Sequence, residues 1–170
     1  MKLFSQLLLL FSAIALLGCI GEPATQTIIF DNYSSDAAGI YFEKPANWSP
    51  QSDPFPGTIR FGDLNSSSFA VTQVPNRTAS EFKKIALENY DSFSSNNAFS
   101  NISMRDTTIA NFSAIEISMD QSMGTQTLES WLYVVKDAGK NRVVYLAFTT
   151  SDSKNGNEIR QKIVASTKIT

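Results

Sequence analysis

With no histidine and a single cysteine, Cys19, in 170 residues, the chain lacks most of the side chains that carry proton transfer or covalent catalysis. A Ser/His/acid relay is excluded, and no Gly-x-Ser-x-Gly elbow occurs. Zinc sites of the His/Cys kind and internal disulfides fall with it. Ser80-Glu81-Phe82-Lys83 has the bare serine–lysine spacing but none of its companion motifs, and it reads as the start of a helix. Neither a Gly-x-Gly-x-x-Gly nor a Walker-type loop is present to cradle phosphates. Only hard oxygen ligands for calcium or magnesium remain. The densest set is Asp152-Ser153-Lys154-Asn155-Gly156-Asn157-Glu158, where Lys154 occupies a place that a calcium loop gives to a ligand. Capping of a helix accounts better for that string, and Asp31-Asn32 with Asp36 is sparser still. No metal, cofactor or catalytic residue is expected, and the function read from these residues is non-enzymatic.

Binding is the better prospect. Fourteen Lys and Arg stand against sixteen Asp and Glu, so the chain has no basic nucleic-acid footprint. Tyr33, Trp48 and Phe55 fall in or beside loops, the last two within a stretch carrying Pro50, Pro54 and Pro56. Large rings there line a pocket or partner surface, or else Trp48 plugs the end of a sheet. Trp131 and Tyr133 share one face of a strand and belong either to a groove or to a covered layer. Six Asn-x-Ser/Thr sequons begin at Asn32, Asn47, Asn65, Asn76, Asn101 and Asn111; they are by-products of a Ser/Asn-rich surface or, in an archaeal host, glycosylation sites.

The amino terminus states an address. Lys2 gives a positive start, Leu3 to Leu17 form an apolar run, and Leu16-Leu17-Gly18-Cys19 closes it. The apolar part is shorter than the roughly 20 residues of a membrane span. The closing string resembles the lipobox of prokaryotic lipoproteins, with Leu17 larger than the residue usual there. The resemblance implies a signal peptide over 1–18, lipidation of Cys19, a short tether over 19–27, and an extracytoplasmic domain held at the cell membrane by lipid. Several buried acyl chains anchor far better than one, each methylene contributing about 0.8 kcal/mol.

The elements that must position the rings follow from periodicity. Short strands are predicted over 27–30, 39–43, 57–63 and 69–74, with 31–36 a turn and the prolines of 50–56 excluding a central strand. Thr78-Ala79-Ser80-Glu81 has capping-box form, and Phe82, Ile85, Ala86, Asn89 and Phe93 follow at helical spacing, which predicts a helix over 79–92. A flexible loop is expected over 92–101. Strands over 100–108, 112–121, 125–135 and 142–149 come next. The last two pair across the turn Asp137-Ala138-Gly139-Lys140-Asn141. A final helix runs from about 155–157 to 167, with Ile159, Ile163 and Val164 on its stripe and Glu158 four residues before Lys162.

The sum is one α+β domain over 28–170: a central antiparallel sheet of six to seven strands covered by two helices. The string Gly39-Ile40-Tyr41-Phe42-Glu43-Lys44-Pro45-Ala46-Asn47-Trp48, with the Tyr133 and Tyr145 strands and the terminal helix, resembles the PsbP/Mog1 superfamily. Lys44 departs from the tyrosine often found before the proline. The resemblance implies an α/β/α sandwich and an accessory or protein-interaction role, with an extracytoplasmic protein as the partner. The alternative is a carrier of a small ligand, or a metal-dependent binding protein, using a pocket near the 48–56 loop.

Overall fold

The computed structural model describes residues 27–36, 38–52, 57–63, 66–74 and 76–170. The signal segment, Cys19 and most of the tether therefore lie outside the described residues, as do Phe55 and Asn65. Seven strands form one antiparallel sheet in the order β3-β4-β5-β9-β8-β7-β6. They are β3 (Pro50–Ser52), β4 (Thr58–Asp63), β5 (Ser67–Gln73), β6 (Phe99–Ile109), β7 (Phe112–Met123), β8 (Gln126–Asp137) and β9 (Arg142–Thr150). A second sheet of three strands, in the order β1-β2-β10, joins β1 (Phe30–Ser35) and β2 (Ile40–Pro45) to β10 (Lys168–Ile169). The helices are α1 (Phe82–Ser94), entered through a 3-10 turn at Ala79–Glu81, and α2 (Ser153–Ser166).

Strand alternation sorts the core into two layers. On one face of the large sheet, Ile117, Leu132, Val134 and Val143 meet Phe82, Ile85 and Ala86 of α1. On the other, Phe69, Val71, Tyr133, Val135, Leu146 and Phe148 meet Phe42 of β2 and Ile159 and Ile163 of α2. The helices thus cover opposite faces, and the architecture is the α/β/α sandwich expected, with the small sheet sharing the α2 side. Asn89, the amide within the α1 stripe, donates to Ile85 O at 2.8 Å and to the Tyr145 hydroxyl at 2.7 Å, so its polarity is satisfied at the sheet surface.

The β8–β9 hairpin forms as expected, with Asp137 opposite Arg142 and Glu129 opposite Thr150. Other boundaries differ. Residues 31–35, expected as a turn, extend as β1 because each finds a partner on β2, from Phe30 opposite Pro45 to Ser35 opposite Ile40. Pro45 is tolerated in β2 because β10 reaches only Ile40 and Tyr41, so no second neighbour needs its missing N–H. Prolines confine β3 to three residues at the sheet edge. The loop expected over 92–101 shrinks to 95–98, since α1 runs to Ser94 and β6 begins at Phe99. Lys162 pairs with Glu43 on β2 at 2.8 Å, not with Glu158.

The oxygen-rich string at 152–158 is the start of α2. Asp152 is the N-cap, accepting from the N–H groups of Asn155 at 3.1 Å and Lys154 at 3.2 Å and from the Asn155 amide at 2.7 Å. These bonds, the Asn155 N–H first, hold its carboxyl below the ordinary aspartate range. A depressed carboxyl contributes stability above its unfolded pKa and loses it as pH falls through the folded value. Asp152→Ala is expected to cost about 1 kcal/mol at neutral pH. Urea denaturation at pH 7 and again near pH 3 checks this, because the gap between variant and wild type should shrink in acid.

Candidate aromatic docking site

The rings singled out above fall into two groups. Tyr33 belongs to a cluster between the sheets, 4.7 Å from Phe61 and 5.3 Å from Phe42, half-buried on β1. Trp48, Trp131 and Tyr133 gather on the α2 face of the large sheet. Trp48 follows β2, where its N–H donates to Pro45 O at 2.9 Å, and its ring lies 6.5 Å from Phe148 at an interplanar angle of 26°. Trp131 packs on the same Phe148, at 6.0 Å and an interplanar angle of 51°. Phe148 is buried, while both tryptophans remain half-exposed. They form a strip over one buried ring.

Arg160 of α2 ties this strip to the sheet. Its guanidinium carbon sits 4.4 Å from the centre of the Trp131 ring, and its Nη2 donates to Asn157 Oδ1 at 3.2 Å. Nη1 donates to the Tyr133 hydroxyl and lies 3.8 Å from Glu116 Oε2. Glu116 stands directly opposite Tyr133 in the β7–β8 register, as Ser118 stands opposite Trp131. Its other carboxylate oxygen accepts from Arg105 Nε at 2.9 Å and forms an ion pair with Arg105 Nη2 at 2.8 Å. Burial pushes the Tyr133 phenol up to about 12, with Arg160 opposing and Glu116 reinforcing the shift. It therefore remains a neutral hydroxyl throughout the physiological range. The Arg160 Nε is buried without a partner, so this side chain is held by stacking and by its two Nη groups alone.

Arg160, Glu116 and Arg105 did not emerge from residue-by-residue reading. Glu116 left a trace, as a carboxylate within the alternating run Ala114 to Met119 on the face that opposes Tyr133. Arg160 left none, because its role exists only once α2 docks across β8. Chemically the arrangement offers aromatic area and a delocalised cation, which suits recognition. Among the described residues no three His, Cys, Asp or Glu come together to hold a metal ion. The concavities are modest. The one beside Gly57, lined by Ser35, Ala38, Ile59, Val71 and Val144 among others, encloses about 280 Å³. Another, by Arg60, Ala70, Leu128 and Ala147, encloses about 260 Å³. Both fall just below the roughly 300–1,000 Å³ typical of small-molecule sites. Neither is lined by Trp48.

No protein-family model and no curated protein sequence matches the chain. Solved structures do match in shape. LpqN of Mycobacterium tuberculosis, described as involved in cell envelope biogenesis, aligns with a TM-score of 0.57 at 16% identity over 84% of this chain and 91% of that one. The Saccharomyces cerevisiae Ran-binding protein Mog1p aligns with a TM-score of 0.53 at 9% identity, covering 84% and 96%. The cyanobacterial PsbP of Synechocystis aligns with a TM-score of 0.54 at 14% identity, covering 91% and 99%. The chain also spans about half, 48%, of a larger Bacteroides thetaiotaomicron structure that it resembles with a TM-score of 0.56. At these identities the likeness speaks to architecture alone, and the architecture is the PsbP/Mog1-like sandwich.

Proposed function

We propose that this protein is a lipid-anchored, non-enzymatic accessory domain on the outer face of a membrane, and that it docks a protein partner through the strip of Trp48, Trp131 and Arg160. The observation that carries the docking surface is the pair of half-exposed tryptophans packed on one buried Phe148, with a guanidinium stacked on Trp131. Trp and Arg are the side chains that concentrate binding energy at protein interfaces. Support for the address comes from the lipobox-like Leu16-Leu17-Gly18-Cys19. The shared architecture adds to the reading, since a Ran-binding protein and an envelope-biogenesis protein use the same sandwich. Tyr33, on β1, and Phe55 are proposed as further contacts for the same partner.

One experiment tests both halves. The wild type, Cys19→Ala and Trp131→Ala are each cross-linked in the protein's own membranes, purified, and analysed by mass spectrometry for everything that travels with them. Cys19→Ala should leave the membrane or remain unprocessed; a cleaved form retained at the wild-type level refutes the anchor. A reproducible protein partner should be lost by roughly tenfold or more from Trp131→Ala, the effect of one strong interface residue. A bound small molecule with no protein partner would identify a carrier instead.

A further inference from the structure

We propose that Asn47 and Asn111 are sites of N-linked glycosylation, taking their saccharide from a polyisoprenyl phosphate or diphosphate donor. The inference rests on the extracytoplasmic reading above, because such donors present their sugars on that side of a membrane. Two independent observations carry it. The first is numerical: twelve asparagines and 35 serines and threonines among 170 residues would by chance make about two or three sequons, whereas six occur. The second is structural and separates the sequons from one another.

Asn47, Asn111 and the other three described sequon asparagines are all exposed, but three of these five sequons are already used by the fold. Asn32 lies within β1, and its side-chain carbonyl accepts from the Tyr41 hydroxyl. At Asn76 the required hydroxyl belongs to Thr78, which caps the 3-10 turn and is shared with Ser80 at 2.8 Å and Glu81 at 3.2 Å. The Asn101 amide donates to Asp120 Oδ2 at 2.7 Å, and its sequon hydroxyl, on Ser103, meets Ser118 Oγ at 2.8 Å. Two sequons remain. In Asn47-Trp48-Ser49 and Asn111-Phe112-Ser113 the amide and the hydroxyl are both exposed and engaged by no other described residue. Both asparagines lie in turns. Asn47 follows β2, and Asn111 is the second residue of the Ala110–Asn111 turn that closes the β6–β7 hairpin, with φ of 51° and 67°. Positive φ explains an asparagine at 111, but it places no demand on residue 113. The middle residues, Trp48 and Phe112, pack against the core and so present the flanking amide and hydroxyl outward, and a saccharide on Asn47 would border the docking strip at its Trp48 end.

The transfer is balanced without oxidant or reductant. The carboxamide nitrogen attacks the anomeric carbon of the donor sugar, a C–N bond forms, and the bond from that carbon to the phosphate oxygen breaks. The prenyl phosphate or diphosphate leaves as an anion, and the amide gives up one proton to a base of the transferase.

The test uses the protein purified from its native membranes, with glycopeptide mass spectrometry and, in parallel, protease added to intact cells. Saccharide mass is expected on the peptides carrying Asn47 and Asn111, lost site by site in Asn47→Gln and Asn111→Gln. Because glutamine strains the positive-φ turn at 111, Ser49→Ala and Ser113→Ala serve as second variants that abolish the sequon while keeping the asparagine. Protein that is digested on intact cells yet carries no sugar at either position overturns the proposal and leaves the location standing. Protein that is protected inside the cell overturns both. Sugar found only at Asn32, Asn76 or Asn101 overturns the choice of sites.

Discussion

Asp137→Ala is expected to lower the unfolding free energy by about 3–5 kcal/mol, because it strands a cation inside the protein. Asp137 and Arg142 flank the β8–β9 turn and are 3% and 6% exposed. Their bond, Arg142 Nε to Asp137 Oδ2, is 2.7 Å long. The rest of the guanidinium fastens the small sheet to the large one: Nη1 donates to Ala38 O at 3.1 Å and Nη2 to Thr170 O at 3.4 Å. Asp137 Oδ1 meanwhile accepts the Lys140 N–H at 3.2 Å, which fixes the turn. Gly39 completes the junction. Its φ is +59°, and a Cβ there would collide with the Thr170 carbonyl. Removing the carboxylate leaves the guanidinium with carbonyl partners only, in a site that water reaches poorly. Equilibrium urea denaturation measures the loss. A value below about 1 kcal/mol, the worth of a surface pair, would show the site to be solvated. Replacing both partners, as Asp137→Leu with Arg142→Met, should recover much of the loss, since two apolar groups of similar size leave no charge to solvate.

Phe42→Ala is expected to cost about 3–5 kcal/mol by a different route, the opening of a cavity between the two sheets. Phe42 is fully buried on β2. Its ring lies 4.9 Å from Phe69, 5.4 Å from Phe61 and 5.3 Å from Tyr33, two of the three contacts edge to face. Phe42→Leu should lose markedly less in the same urea series, because most of the volume is kept. Equal losses for alanine and leucine would mean that ring geometry, and not volume, holds the layer.

These two residues mark what was legible beforehand. Asp137 sits in a turn bounded by two alternating runs, so local signals located the β8–β9 hairpin directly. The capped helix was equally plain, because Thr78 and Glu81 are close neighbours in the chain. The small sheet was not legible. β1 carries polar residues on both faces, Asp31 and Ser35 on one and Asn32 and Ser34 on the other, because it is the edge strand of the small sheet, and that polarity mimics a turn until β2 is known to lie beside it. β10 is two residues long, below any period that could announce it. The candidate site divides in the same way. Trp131 and Tyr133 declared a common face by alternation, whereas Arg160 joins them from 27 residues beyond Tyr133 along the chain. Such a contact depends on where α2 docks, and nothing local to Arg160 encodes it.

The wiring of the two sheets also sets the order in which the molecule can be assembled. β5 has β4 on one side and waits for β9 on the other, and β2 waits for β10. A chain that emerges amino terminus first, from a ribosome or a translocation pore, therefore exposes the apolar faces of β2, β4 and β5 until β9 and β10 have appeared. Pairings of such long sequence separation form slowly. Holding factors that cover those faces would have their longest task on β2, β4 and β5, and the arrival of β9 and β10 would release them.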